Sequence, residues 1–418
     1  MSNLCYDIII IGSGMAGLYS AYNIKKMSPH TSFLILEKYK KQWLGGRTSN
    51  EMFYGTEIVT GAGIGRRKKD KLLYKLLKEL DIPTYDFTLE PNYSKTMVHI
   101  SNIDKTMDFL KNEFIKQEKN NDNKVNLTFK QFAKKMLGEK EYQNFLITTG
   151  YTDYENEDVY DTLYNYGMED NTFKYKAFHV EWREMVLRIA DKIGYKHFKF
   201  SNNVISFSKN KNKDDSYQFE IQTENNDKYY CNKIIIATTI SSIRKLLPQY
   251  PIYHDIEGQP FLRLYGKFSK NSIPIMKEYV KGLTMVPGPL QKIIPVDSDK
   301  GIYMIAYCDN LNAIALKNHL KNTEENRFLY CNLLEQTLGI PTNSLHLIAI
   351  KDYYWPIGTH YYKPLNKNLY INRENFIEKA QHPENCILVV GEVVSNNQGW
   401  TEGALESVKS VLTKKWIL

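Results

Sequence analysis

The sequence predicts an α/β protein: a doubly wound domain with a central parallel sheet, assembled from separated pieces of chain, and a second, mixed α+β domain set between them. Three observations carry this. Residues 7–17, DIIIIGSGMAG, place four consecutive isoleucines before a glycine-rich turn and a helix, the pattern of a strand buried on both faces. Residues 387–392, ILVVGE, repeat the buried strand near the other end and again lead into a helix. Between them lie a helical, tyrosine-rich stretch and a strand-rich one, which a plain sheet-to-sheet crossover does not need.

Ile8 to Ile11 are β-branched with no polar residue alternating, so the opening strand is central. Gly12, Gly14 and Gly17 follow at the G-x-G-x-x-G spacing. Gly12 allows the tight turn, Gly14 leaves a pyrophosphate room against the backbone, and Gly17 lets the next helix pack on the strand. That helix, LYSAYNIKKM, turns its N–H groups and dipole toward the phosphates. Glycine-rich turns also end ordinary strands, so context decides. Phe33–Leu36 is a second apolar strand ending in Glu37, 20 residues past Gly17, where a carboxylate accepts hydrogen bonds from an adenosine ribose. The unit is expected to be Rossmann-like and to bind a dinucleotide.

Composition narrows the rest. With 418 residues the chain is long enough for two domains, each with its own core. The net charge of +8 comes from Lys and Arg scattered among 47 acids, so no nucleic-acid partner is expected. The densest run, RRKKDK at Arg66–Lys71, reads as a solvated loop leading into a helix. Cys5, Cys231, Cys308, Cys331 and Cys386 lie far apart without a C-x-x-C pair, which suggests neither a zinc site nor a disulfide framework. No leader-like segment opens the chain and no apolar run approaches about 18 residues. A soluble, cytoplasmic protein with no membrane partner is expected, acting on a small molecule.

Beyond Glu37 the chain carries Gly45-Gly46-Arg47-Thr48. A paired glycine lets backbone fold against a cofactor, and an arginine behind it neutralises a pyrophosphate through a charge-assisted fork. Residues 70–82 space leucines at helical intervals and stop at Pro83, predicting an amphipathic helix. LTFKQFAKKMLGEKEYQNFL is helical in period, NNDNK before it reads as an exposed turn, and the tyrosine-rich stretch to Asp170 lacks strand alternation. Glu181–Gly194 is a further helix, with Trp182 read as core packing. Val204–Phe207 and SYQFEIQT are strands joined by the turn KNKNKDD, and Lys233–Thr239, KIIIATT, is another buried strand ending in small residues. FLRLYGKF, GIYMIAYC and LHLIAI are strands of the second domain. The nucleotide domain is thus expected from 1–85, 195–245 and 380–418, and the substrate domain from 86–194 and 246–379.

With GGRT in place behind the first βαβ unit, the sequence resembles the flavin-containing amine oxidases, the group of monoamine, polyamine and L-amino-acid oxidases and histone-lysine demethylases. The resemblance implies that Gly45, Gly46 and Arg47 hold the diphosphate of FAD, and that Gly61, Ala62 and Gly63 of EIVTGAGIG approach the flavin. It implies that Val204 pairs with the adenine and that Ala237 and Thr238 lie along the dinucleotide. The closing order, Gly391-Glu392 after a strand and then GWTEGALESV, is similar to the family's last motif. There Glu392 meets the ribityl chain, the backbone around Gly399 and Thr401 faces the pyrimidine edge, and Trp400 forms one wall beside the ring. Met15, Ala16, Lys38 and Ala404 complete the implied cofactor set. A helix N-terminus aimed at the pyrimidine suits the negative charge a reduced flavin develops there.

The same resemblance places Arg263 of FLRLYGKF where relatives often carry lysine. Arginine keeps its proton at any relevant pH, so Arg263 either clamps a substrate carboxylate or is a surface or interdomain residue. Asp352–Leu365, DYYWPIGTHYYKPL, is similar to the segment that supplies the opposite aromatic wall, through Trp355 and either His360 or Tyr361; a histidine there could take the amine proton. Relatives with covalent flavin carry cysteine in this segment and this chain does not, so non-covalent FAD is expected. The implied chemistry is hydride transfer from a C–H next to an amine to FAD, with O₂ as acceptor giving H₂O₂. Desaturase, protoporphyrinogen-oxidase or sugar-nucleotide-mutase chemistry, or a flavin-binding structural protein, stand as alternatives.

Overall fold

The computed structural model describes residues 5–120, 126–168, 175–210 and 216–418. The strand Cys5–Ile11 lies at the centre of the larger sheet. It pairs in parallel with Phe33–Leu36 on one side and Lys228–Ile236 on the other, with Ile8 to Ile11 opposite Phe33 to Leu36 and Lys233 to Ile236. Phe198–Lys199 extends the sheet in parallel beyond Phe33–Leu36, and Ile387–Val389 beyond the end of Lys228–Ile236. An antiparallel hairpin, Val204–Lys209 and Phe219–Thr223, joins the first half of that strand. Ile8 and Ile10 point into one apolar layer, Ile9 and Ile11 into the other, as the two-residue period of a strand covered on both sides requires. Helices Met15–Met27, Trp182–Ile193 and Thr401–Val411 build the first layer. Ile240–Leu246 and Arg373–Gln381 build the second.

The second sheet runs Leu347–Tyr362, Ile256–Phe268, Ile302–Asp309, Lys292–Asp297, Thr284–Met285, Asn92–Tyr93. Its pairs are antiparallel except the last, which is parallel. Helices Ile103–Asn120, Phe129–Leu137, Glu139–Thr149 and Val159–Tyr164 pack around their own core, which includes Phe129, Phe132, Phe145 and Tyr154. The α/β class and the two-part architecture agree with the sequence reading.

Several expectations are corrected. The helical run through residues 127–146 breaks at Gly138, whose φ of +77° suits glycine. Trp182–Ile193, read with the substrate domain, packs its Trp182, Met185 and Ile189 into the first apolar layer of the larger sheet. Arg373–Gln381 likewise buries Phe376 and Ile377 against the sheet's other face. The run Arg66–Lys71 is no solvated loop throughout, because Arg66 and Asp70 are each 1% exposed and ion-paired at 2.8 Å. The predicted turn NNDNK, the end of the tyrosine-rich stretch and most of KNKNKDD lie outside the described residues. Among the described residues no helix is long and apolar enough to cross a membrane.

Candidate dinucleotide and substrate site

One cavity of about 1410 Å³ runs between the two sheets, beyond the roughly 300–1,000 Å³ of a single small-molecule pocket. Every residue singled out from the sequence for the cofactor borders it except Gly17. A Cβ on Gly17 would stand 2.0 Å from the Gly12 carbonyl oxygen, so that glycine serves the contact between helix and strand. Gly12 has φ +102°, and a Cβ there would lie 2.5 Å from the Ala237 oxygen. Gly14 differs: its φ is −68°, and a Cβ would meet nothing within 4 Å because it would project into the cavity.

From Gly14 the site can be followed by its contacts. Glu37 accepts the Ser13 N–H at 2.8 Å and the Ser13 hydroxyl at 2.6 Å, and its other oxygen accepts the Tyr39 N–H at 2.8 Å. The carboxylate is therefore fixed at the end of the second strand, facing the cavity beside Lys38, while Val204 lines the cavity from the hairpin strand. Gly14 bridges to Gly45, and a Cβ on Gly46 would stand 4.0 Å from the Gly14 Cα. Arg47 donates from one nitrogen to the Gly358 carbonyl at 2.6 Å and to Glu392 at 3.0 Å. The opening and closing motifs thus meet in an ion pair. Burial alone would raise the Glu392 carboxyl, but His360, Arg47 and the Gly399 N–H at 3.0 Å hold it well below the usual range.

His360 is engaged at both ring nitrogens. Nδ1 lies 2.5 Å from Glu392, and Nε2 accepts the Ile240 N–H at 3.2 Å. An acceptor Nε2 puts the proton on Nδ1, where it is donated to Glu392. The sequence left open a histidine here that could take an amine proton; in the structure the lone pair of this ring faces the Ile240 N–H instead. His360 borders the large cavity and Tyr361 does not, so Tyr361 supplies no aromatic wall there.

The rings at this end come from elsewhere. Trp355 donates Nε1 to the Thr60 carbonyl at 2.7 Å and stands edge-on to Trp43. The Arg66 guanidinium lies 3.8 Å over the Trp400 ring, within cation–π range. Arg263 is 7% exposed and borders the cavity, which sets aside the surface reading. It donates to the Gly61 carbonyl at 2.7 Å and lies 4.1 Å over the Tyr307 ring. A Cβ on Gly63 would be 3.0 Å from its Nη2. Trp182 does not border the cavity; its Nε1 donates to Gly63 at 3.3 Å from the core.

Sequence reasoning missed Ser13, Tyr151, Asp153, Tyr166 and Tyr307, all of which line the cavity. Behind them Lys292, 1% exposed, lies 3.0 Å from the Tyr151 ring centre and 4.3 Å from that of Tyr307. Burial drives its ammonium down to about 7, against the pull of Asp309 and Asp153. The acid-and-tyrosine density of residues 148–170 was the available signal.

The residues fit a dinucleotide on the structure's own terms. Two helix N-termini, at Gly14–Met15 and Trp400–Thr401, border the same space, and neither N-cap side chain bonds its helix. The Thr238 hydroxyl, also on this wall, is buried without a partner. Helix N-termini of this kind receive phosphate and other anionic groups.

No family model matches the sequence. The chain is 20% identical to uncharacterized protein R188 of Acanthamoeba polyphaga mimivirus, over 98% of this chain and 93% of that protein. Two solved structures of putrescine oxidase superpose over nearly the whole chain at 14% identity. A double mutant from a redesign of cofactor binding gives a TM-score of 0.75, with 99% of each chain covered. The wild type bound to putrescine gives 0.74, with 97% of this chain and 98% of that one covered. From its opening glycine turn to its closing helix, this chain therefore has the fold of putrescine oxidase.

Proposed function

We propose that this protein is an FAD-dependent oxidoreductase of the amine-oxidase type, with FAD held non-covalently and O₂ as the electron acceptor. The observation that carries the reading is that Gly14 and Thr401, at opposite ends of the sequence, border one cavity. The helix N-terminus behind Gly14 and the Arg47 guanidinium would hold the diphosphate, Glu37 and Val204 the adenosine, and Glu392 and Thr401 the ribityl chain and pyrimidine edge. When bound, FAD supplies the acceptor for a hydride leaving the carbon next to the amine, and returns the electrons to O₂ as H₂O₂.

The chain's own residues supply enclosure and orientation. Trp355, Trp400, Tyr151 and Tyr307 bring aromatic surface to one end of the cavity, which excludes water and strengthens the remaining electrostatics. Arg263, fixed by Gly61 and Tyr307, orients a polar group with its rigid fork of donors. His360 keeps Glu392 in place.

The test is direct. Purified protein should be yellow, with a flavin absorption band that an amine bleaches under anaerobic conditions and air restores with H₂O₂. A colourless protein that FAD cannot reconstitute overturns the reading. A second reading, desaturase- or mutase-like chemistry on the same scaffold, is favoured by Arg263 standing where lysine is expected. A yellow protein that no amine reduces supports it.

A further inference from the structure

The wall of the large cavity carries a histidine and two carboxylates that the chemistry above does not use. Glu57 lies in the strand Thr56–Val59, His179 follows the strand Tyr175–Phe178, and Glu181 is the N-cap residue of the helix Trp182–Ile193. Each offers one ligand atom, and the three atoms lie within 4.8 Å of one another. All three residues border the cavity.

The cluster is held in place by its neighbours. The His179 N–H donates to the Tyr85 carbonyl at 2.9 Å, and the imidazole stacks on the Tyr85 ring, 4.7 Å between centres and 5° between planes. His179 Nε2 lies 3.0 Å from Glu181 Oε1, and the Glu181 side chain makes no capping bond to its own helix. Buried Asn50 donates to Glu57 at 2.8 Å while its own oxygen accepts the Arg183 N–H at 3.1 Å. Among the described residues neither glutamate is ion-paired with a Lys or Arg; His179 is the partner of Glu181. The two acids oppose each other, for burial first and Glu181 next push the Glu57 carboxyl up.

Two carboxylates and a neutral imidazole carry the charge that a dication balances. Bonds of about 2.0–2.2 Å to nitrogen and oxygen set adjacent ligand atoms roughly 3–3.5 Å apart, and the 3.0 Å between His179 and Glu181 is such an edge. An ion there takes the place of the proton between Nε2 and Oε1. The imidazole selects a transition ion over Mg²⁺, which prefers oxygen alone. Asn50 fixes Glu57 as the outer partners of metal ligands do. Three protein ligands leave at least one coordination position free.

We propose that Glu57, His179 and Glu181 bind a divalent transition-metal ion of the Zn²⁺ type, with its free coordination positions turned to the large cavity. The site is independent of the amine-oxidase reading.

The experiment titrates tag-free protein, as purified and then freed of metal by a chelator, with Zn²⁺ and separately with Mg²⁺ in a calorimeter. One Zn²⁺ per chain should bind with a Kd of about 10 µM or tighter, and Mg²⁺ about tenfold more weakly or less tightly still. His179→Ala and Glu181→Gln should each weaken Zn²⁺ about tenfold or more. Their thermal midpoints without metal should stay near wild type, since both side chains are partly exposed; Glu57→Gln, at an exposed position, replaces either variant that fails to fold. Zn²⁺ binding weaker than about 10 µM, Mg²⁺ binding equal to that of Zn²⁺, or affinity that survives in a folded variant overturns the inference. None of these readings depends on flavin or turnover, so a failure of the oxidase reading is seen separately.

Discussion

Gly63 and Arg263 divide one volume between them: the glycine has no side chain because the guanidinium stands 3.0 Å from where its Cβ would be. Replacing Arg263 with Met removes the donor to Gly61 and the cation over Tyr307 while keeping most of the bulk. FAD content should hold, and the rate of anaerobic flavin reduction should fall about tenfold or more; an unchanged rate would show Arg263 to be structural. Gly12 and Gly14 separate in the same way. Gly14→Ala adds a Cβ to open space at φ −68°, so the apoprotein should stay within about 0.5 kcal/mol of wild type and lose FAD. Gly12→Ala meets the Ala237 carbonyl at φ +102° and should destabilise the apoprotein as well, as urea midpoints would read. At this scale the sequence was legible where a residue's reason is local. Gly12, Gly14 and Glu37 could be named from spacing alone. Arg263 could be named only through family resemblance, and its true neighbour, Tyr307, comes from a different strand.

At the scale of elements, the helical insertion carries a pH signature. Burial first, and the nearby Asp309 second, raise Asp153 to about 7, against about 3.9 in the unfolded chain. Between those values the folded state binds more protons than the unfolded one, so this carboxyl makes stability fall as pH rises from about 4 to 7. Asp153→Asn should flatten that slope, and urea midpoints at pH 5 and pH 8 that move in parallel with wild type would refute the assignment. Glu392 has the opposite sign. Its folded value is lowered, so its contribution is present above about 4.3 and is lost in more acid solution. Arg47→Ala should move the onset of acid unfolding to higher pH. The buried strands and the helices beside them were readable from apolar period. The helical break at Gly138 was not, because helical periodicity continues through it.

For the whole molecule, the larger sheet and its flanking helices are a composite of distant pieces, whose opening and closing segments meet where Arg47 pairs with Glu392, 345 residues along the chain. A ligand that spans the pieces stabilises all of them. FAD at about 1,000 times its Kd should raise the stability of the apoprotein by roughly 4 kcal/mol, and a thermal midpoint indifferent to FAD would contradict the assembly described. The order of the pieces was legible, because each opens or closes with a buried strand. The aromatic and acidic end of the cavity was not. Thr152 reaches Asp309 across 157 residues, and no local pattern announces a contact made by folding at that distance.

The pairing of Ile234–Ile236 with Ile387–Val389 sets a timetable for biosynthesis. A ribosome adding about 5–20 residues per second needs roughly 8–30 s to go from one strand to the other. Throughout that interval the nascent sheet has a bare hydrophobic edge, of the kind that invites aggregation, and Arg47 lacks its counter-ion. The two sides of the large cavity can close on each other only once residues 391–404 have been made, so the growing polypeptide passes through a vulnerable half-built stage that the folded chain no longer shows.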